Sequence, residues 1–287
     1  MRALLGIIGG SGFYDLPGIE NIEELEIASP WGEPSDKLRR GEIGGKPVVF
    51  LARHGRGHRF SPSDINYRAN IDCMKRAGVT DLVSFAACGS FREEIPPGNF
   101  VLVDQFVDRT FLRPVSFFGA GCVAHVSMAH PVGPKLLARL ADAASAENIP
   151  FVRGGTYVCI EGPQFTTKAE SRAFAAEGWT VIGMTCMPEA KLAREAEITY
   201  AAVAMVTDYD SWHDEHVDVP TVIRVMRENS SKAARLLARL SRDFPEEHEP
   251  CPAGSDRALD HAIITAPEAR DPTLMQKLDV IAGRVLK

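Results

Sequence analysis

Tyr200-Ala-Ala-Val-Ala-Met-Val206 is short, apolar, rich in β-forming residues and bounded by polar ones, and so reads as a buried strand. It runs directly into Thr207-Asp208-Tyr209-Asp210-Ser211-Trp212, which places two carboxylates at its C-terminal end. In open α/β sheets, ligands gather in the crevice outside the carboxyl ends of the strands, so Asp208 and Asp210 are candidates for contacting a substrate. Capping a turn or the next helix is the competing reading, and position alone leaves the two level.

Working outward from this strand, Thr180-Val-Ile-Gly-Met184 is a second β segment. Between the two, Pro188 to Glu197 reads as a helix, because Ala190, Leu192, Ala193 and Ala196 are good helix formers. Further strands are expected over residues 4–8, 46–52, 81–87, 99–106 and 157–160, and helices over 63–78, 134–147 and 168–177. Pro220 to Leu240 carries Val222, Val225, Met226, Ala233, Leu236, Leu237 and Leu240 at helical intervals, with a polar middle at Asn229-Ser230-Ser231. Helical spacing returns over 272–286. Strands alternating with helices imply an α/β protein with a largely parallel or mixed sheet. No repeat or composition break marks a boundary, so residues 1–287 read as one domain, with a C-terminal extension from about 241 to 287.

Three strand ends carry unusual turns. Gly9-Gly10-Ser11-Gly12 lets backbone approach a ligand closely, although Asp15 replaces the third glycine of a dinucleotide fingerprint and no lysine makes it a P-loop; a plain tight turn fits as well. Arg53-His54-Gly-Arg56-Gly-His58-Arg59 is the one dense basic cluster. Arginine on a glycine-rich turn suits an oxyanion such as phosphate, through bidentate charge-assisted hydrogen bonds, against the alternative of a solvated charged loop. The third turn is Cys88-Gly89-Ser90. The glycines between His54 and His58 speak against a helical zinc site, and His213-Asp-Glu-His216 reads as a solvent loop, so no metal is expected.

With 32 Lys and Arg against 38 Asp and Glu, the formal charge is −6, which argues against a general nucleic-acid or membrane-surface binder. Six scattered cysteines without a C-x-x-C pair point to a reduced, cytoplasmic protein. The apolar run at the N-terminus is too soon interrupted by glycine to be a signal peptide or a membrane span.

Taken together and in order, Gly6-Ile-Ile-Gly-Gly-Ser-Gly12, Ala52-Arg-His-Gly-Arg-Gly-His58, Ile65-Asn-Tyr-Arg-Ala-Asn-Ile71, Ala87-Cys-Gly-Ser-Phe-Arg-Glu-Glu-Ile-Pro-Pro-Gly98, Asp104-Gln-Phe-Val-Asp-Arg-Thr110, Glu161-Gly-Pro-Gln-Phe165, Met184-Thr-x-x-Pro-Glu189 and Val206-Thr-Asp-Tyr-Asp210 resemble the 5'-methylthioadenosine phosphorylase branch of the trimeric purine nucleoside phosphorylases. The resemblance covers roughly residues 4 to 237 and fades beyond about Leu240. It implies a single-domain α/β fold with a central mixed sheet, partly closed into a distorted barrel and flanked by helices. It further implies a homotrimer with sites at subunit interfaces, a hexamer being the alternative, and no metal or organic cofactor. The partners it implies are a small-molecule nucleoside and phosphate as co-substrate, with no nucleic acid and no membrane. The reaction implied is cleavage of 5'-methylthioadenosine by phosphate to adenine and 5-methylthioribose 1-phosphate.

Carried over residue by residue, the resemblance assigns phosphate to Ser11, Arg53, His54 and Thr185, with the Ala86-Ala87 turn beside them. Ser11 keeps the hydroxyl of the family's usual threonine, whereas Ala86 loses a hydroxyl. Met184 would lie against the ribose and Phe165 against sugar or base, with Tyr209 beside the paired acids. Thr166 matches a position bearing on base specificity. Val219, Val222 and Ile223 match an apolar patch for the 5' substituent, and His125 matches a residue supplied by the neighbouring subunit. Asp208 and Asp210 would serve the purine, one protonating N7, with like-charge repulsion from Asp210 raising the Asp208 pKa. A carboxylate at Asp208 accepts from a 6-amino group where an amide could donate to a 6-oxo group, so adenine is expected. Rival readings are a 6-oxopurine phosphorylase acting on methylthioinosine, inosine or guanosine, a phosphate-independent nucleosidase, and a catalytically silent nucleoside-binding protein.

Overall fold

The computed structural model describes residues 1–13, 16, 18–213 and 219–286. In chain order the elements are β1 (Leu5–Gly9), β2 (Glu20–Leu25), β3 (Leu38–Ile43), β4 (Lys46–Ala52), α1 (Tyr67–Arg76), β5 (Asp81–Ser90), β6 (Phe100–Val103), β7 (Gln105–Arg109), α2 (Pro134–Ala146), β8 (Phe151–Arg153), β9 (Thr156–Ile160), α3 (Lys168–Ala176), β10 (Val181–Gly183), α4 (Cys186–Glu195), β11 (Thr199–Tyr209), α5 (Val219–Arg242) and α6 (Pro272–Lys277).

β11 is the buried strand read from the sequence, and its alternation explains why the run is apolar throughout. Tyr200, Ala202, Ala204 and Val206 enter one core with residues of α1 and α4, while Ala201, Val203 and Met205 enter another with residues of α2 and α5. A strand covered by helices on both faces has no polar face to show. β11 lies parallel to β5 along its whole length and antiparallel to β6. β1 pairs with the first half of β5, and β10 with its last residues. The order β2-β3-β4-β1-β5-β10-β9-β7, with β11, β6 and β8 branching from β5, makes one mixed eleven-stranded sheet.

The expected partial closure into a barrel is not made: the sheet stays open. β6 pairs with β11 and β7 with β9, but the chain joins these two strands through Asp104, where a ladder bond would be needed to complete a ring. At that corner the Asp104 and Gln105 amides both turn to the Gly155 carbonyl, at 3.3 and 3.4 Å.

Other differences are local. The helix expected from residue 63 starts at Tyr67, because the Asn66 side chain accepts from the Ala69 amide and caps it there. The helix expected over 272–286 ends at Lys277 and continues as turns. β2 and β3 were not anticipated: β2, Glu-Asn-Ile-Glu-Glu-Leu, is mostly exposed at the sheet edge, where charged residues blunt pairing and erase the apolar signal. The segment after α5 belongs to the same core: Leu259, Leu278, Ile281 and Ala282 are buried among residues of α1, α4 and the sheet. It also pairs with the start of the chain, the Ala3 amide donating to the Glu246 carbonyl and the His248 amide to that of Met1. All six cysteines are free and buried.

Candidate active site

The ends of β1, β4, β5, β10 and β11 converge on a cavity of about 230 Å³. Its walls contain Ser11, Arg53, His54, Ala86, Ala87, Phe165, Thr166, Met184, Thr185, Asp208, Asp210 and Val222, so most of the residues singled out from sequence meet there. β1, β4, β5 and β11 deliver them because these strands run parallel to one another, so their C-terminal ends lie at one side of the sheet.

One wall is built around Arg53, which is fully buried at the end of β4. Its Nε donates to Glu189 Oε2 at 2.8 Å, and its Nη2 to Glu189 Oε1 at 3.1 Å and to Ser84 Oγ at 2.6 Å. Nη1 donates to the Phe85 carbonyl at 2.9 Å. Of five N–H groups, four are therefore spent inside the protein, and the bidentate grip on an oxyanion expected from the sequence is not available. Burial alone would lower the Arg53 pKa, but the Glu189 carboxylate overrides it and holds the guanidinium firmly charged. Glu189 also accepts from Tyr200 Oη at 2.9 Å. Gly10 admits no side chain, since a Cβ would stand 2.7 Å from both Arg53 Nη1 and the Phe85 carbonyl oxygen.

His54 Nδ1 lies 2.9 Å from the Phe60 carbonyl. A carbonyl only accepts, so Nδ1 carries the proton and Nε2 is left as an acceptor. Burial, opposed by that hydrogen bond and aided by Arg53, pushes the His54 pKa down to about 3, so the ring is neutral. Thr185 precedes α4 as its N-cap residue without its hydroxyl bonding the helix, which leaves Oγ1 for a ligand. The basic loop thus supplies this wall with one neutralised cation and neutral polar groups.

The opposite wall is the end of β11. The register with β5 shifts between Val206 and Asp208, so that Thr207 bulges, and Thr207, Asp208 and Asp210 all face the cavity. Thr207 Oγ1 bonds Asp208 Oδ1, and Thr166 Oγ1 lies 2.9 and 2.8 Å from the two oxygens of Asp210. Burial raises the Asp208 pKa to about 6; the Thr207 hydrogen bond opposes the rise and Asp210 adds to it. Desolvation, more than like-charge repulsion, is what makes Asp208 an acid near neutral pH.

Three expected residues do not line this cavity. Tyr209 points to the other side of β11, donating from Oη to the Glu93 carbonyl at 3.0 Å and stacking on His213. Ile223 is exposed on α5, and His125 is exposed with its amide bonded to the Ala262 carbonyl. Val219 opens α5, but its side chain lies outside the described residues, as do Asp15 of the first glycine turn and residues 214–216 of the His213–His216 run. Among the described residues, no cluster of three or more His, Cys, Asp or Glu is arranged to hold a metal.

Sequence reasoning passed over Glu189, Met226 and Arg113. Glu189 sits 136 residues from the arginine it neutralises, so no local signal could pair them. Met226 lines the cavity from α5. Arg113 is 6 % exposed and ties two loops of the site together: Nη1 donates to the Met184 and Met187 carbonyls at 2.7 and 2.6 Å, and Nη2 to the Glu161 carbonyl at 2.8 Å.

Comparison with known proteins agrees with this arrangement. Residues 4–242 match the family model described as the phosphorylase superfamily. The chain is 69 % identical to the S-methyl-5'-thioadenosine phosphorylase of Bradyrhizobium diazoefficiens over 100 % of this chain and 99 % of that one, and 57 % identical to the enzyme of that name from Cereibacter sphaeroides over the whole of both. Its structure is similar to a methylthioadenosine phosphorylase from an Antarctic soil metagenomic library, with a TM-score of 0.91 at 41 % identity over 98 % of this chain and 99 % of that one. It is also similar to a mutant adenosine/methylthioadenosine phosphorylase of Schistosoma mansoni in complex with methylthioadenosine, with a TM-score of 0.80 at 34 % identity over 86 % and 93 %. With a family model spanning most of its length and relatives matching it end to end, this chain belongs to the phosphorylase superfamily, in its methylthioadenosine phosphorylase branch.

Proposed function

We propose that the chain splits S-methyl-5'-thioadenosine with orthophosphate, releasing adenine and 5-methylthioribose 1-phosphate. The observation that carries this reading is one cavity with an anion-suited wall at Arg53, Ser11 and Thr185 and, across from it, a carboxyl group whose pKa is lifted to about 6. A phosphate oxygen attacks C1' while the bond from C1' to N9 breaks and its electron pair passes to the purine. Positive charge then develops on the sugar, and the adjacent phosphate stabilises it. Asp208 gives a proton to N7 as the base leaves, and is ionised afterwards. Asp210, held by Thr166, sits beside the base, and with the Asp208 proton committed to N7 the other Asp208 oxygen can only accept, which favours a 6-amino over a 6-oxo purine.

Val222 and Met226 offer the 5' substituent an apolar surface, which favours methylthio over hydroxyl by about 1–3 kcal/mol. Phosphate is the co-substrate, and the reaction needs neither metal nor organic cofactor. The working form is a homotrimer. Phe165, a wall of the cavity, is 58 % exposed, and Phe111, Leu112, Val115 and Val123 are exposed in the segment leading to His125, which supports a neighbouring subunit covering the site and bringing its own His125. No described helix is long and apolar enough to cross a membrane, and we place the enzyme in the cytoplasm, in purine and methionine salvage.

Product analysis with methylthioadenosine, with and without phosphate, tests the reading. Adenine and a sugar phosphate formed only with phosphate are expected. Cleavage without phosphate would make the chain a nucleosidase, and faster turnover of the inosine analogue would overturn the adenine assignment. Ligand binding with no turnover would identify a silent binding protein.

A further inference from the structure

The polar middle of α5 interrupts an otherwise regular apolar stripe. Val225, Ala233, Leu236, Leu237 and Leu240 are buried on this helix, and so is Asn229, with no exposed surface at all. Asparagine is a poor helix former, and its Oδ1 is buried with no hydrogen-bond partner among the described residues, a cost that an apolar side chain would not carry. Stability of the helix therefore does not account for Asn229. Its Nδ2 donates to the Val206 carbonyl at 2.9 Å, which the Gly98 amide also reaches at 2.9 Å. Val206 is the last residue in register before the bulge that turns Thr207 and Asp208 into the cavity.

The next residue reaches the other wall. Ser230 Oγ lies 2.9 Å from the Gly12 carbonyl and 2.8 Å from that of Met226, and shares its one proton between them. Gly12 follows Ser11 in the turn after β1 and has φ of +79°, so this carbonyl is set by a backbone conformation that side-chain-bearing residues rarely adopt. Lys232 Nζ donates to the Gly98 carbonyl at 2.7 Å. One helix thus holds carbonyls from three segments far apart in sequence, and it is the same helix that lines the cavity with Met226 and Val222, one and two turns earlier.

We propose that α5 is the ruler of the site: Asn229 positions the purine wall through Val206, and Ser230 positions the phosphate turn through Gly12, so that their distance apart is set by adjacent residues of one rigid helix. Both are positioning residues, since neither lines the cavity. The proposal rests on the phosphorolytic reading above and predicts that the two variants damage different substrates.

The experiment is steady-state kinetics of the full chain, varying methylthioadenosine and orthophosphate in turn, with melting midpoints measured alongside. Wild type must first show phosphate-dependent turnover; failure there would remove the functional reading before any variant is made. Asn229→Leu is expected to lower kcat about tenfold and raise the nucleoside KM, with the phosphate KM little changed. Ser230→Ala is expected to raise the phosphate KM about fivefold and leave the nucleoside KM unchanged, and Ser230→Thr, which keeps the hydroxyl, to restore it. The proposal is overturned if both variants shift both KM values together, or if only melting midpoints move. Should Asn229→Leu not fold, the Ser230 pair decides alone, because its partly exposed hydroxyl is not needed for a filled core.

Discussion

The two walls of the cavity treat charge in opposite ways. At the phosphate wall, Arg53 is fully buried but already matched by Glu189, and His54 is neutral, so little net charge is left to meet an anion. At the purine wall, the Thr207 and Thr166 hydroxyls donate to the Asp208 and Asp210 side chains, and neither of these donors brings a cation. Buried Asp208 keeps its proton to higher pH, whereas a buried guanidinium beside a carboxylate cannot lose its own. The first wall holds a fixed geometry, Arg53 being locked to Glu189, and the second holds a movable proton.

Removing the partner from the first wall should have the largest effect. Glu189→Ala leaves the Arg53 charge buried without compensation and should cost about 3–5 kcal/mol of folding stability, read from chemical denaturation. A loss under about 1 kcal/mol would mean that water or another group takes over, and the contrast between the walls would fail.

Asp208→Asn tests the second wall in two directions. Turnover should fall by about 10²–10⁴-fold if the carboxyl is the general acid. Stability should move the other way. Because the folded pKa of Asp208 lies above its unfolded value, ionising it costs stability, progressively as pH rises through about 6. The amide variant escapes that cost, so at pH 8 it should be more stable than wild type by up to about 3 kcal/mol, with no such gain below the unfolded pKa near 4. Wild-type kcat/KM for the nucleoside should accordingly decline above about pH 6, and the same limb should be missing from the residual activity of the variant.

The smallest effect is expected from Thr166→Val. It removes the hydroxyl from both oxygens of Asp210 and should raise the nucleoside KM by the equivalent of about 1 kcal/mol, leaving the phosphate KM in place. A change in the phosphate KM instead would show that the walls are not separable at this point.

Much of this arrangement is legible in local sequence. β11 and β4 are apolar runs because helices cover the sheet on both faces, and each runs out into residues of a different character, which is why Asp208 and Arg53 could be named before their proximity was known; Ala86 and Ala87 came only from the family resemblance, and they lie within β5, paired to β11, not in a turn. β2 escaped because an exposed edge strand rich in glutamate has no apolar pattern to read. Tyr209 was grouped with its neighbours although side chains alternate along a strand, and this residue lies on the face opposite Asp208 and Asp210. Glu189 was read as part of a helix and of the Met184–Glu189 motif but given no partner, and the polar middle of α5 only as an interruption.

By itself the sequence determined most of the elements, the one-domain α/β class and the residue types at the ends of the buried strands, because periodicity and turn chemistry act over a few neighbours. Only the tertiary structure decided that Arg53 spends four of its donors within the protein, that burial makes Asp208 the acid, that the sheet stays open at Asp104, and that Asn229 and Ser230 reach the two walls. Those facts depend on partners as far as 218 residues apart and on the exclusion of water between them, and neither is written in any local stretch of chain.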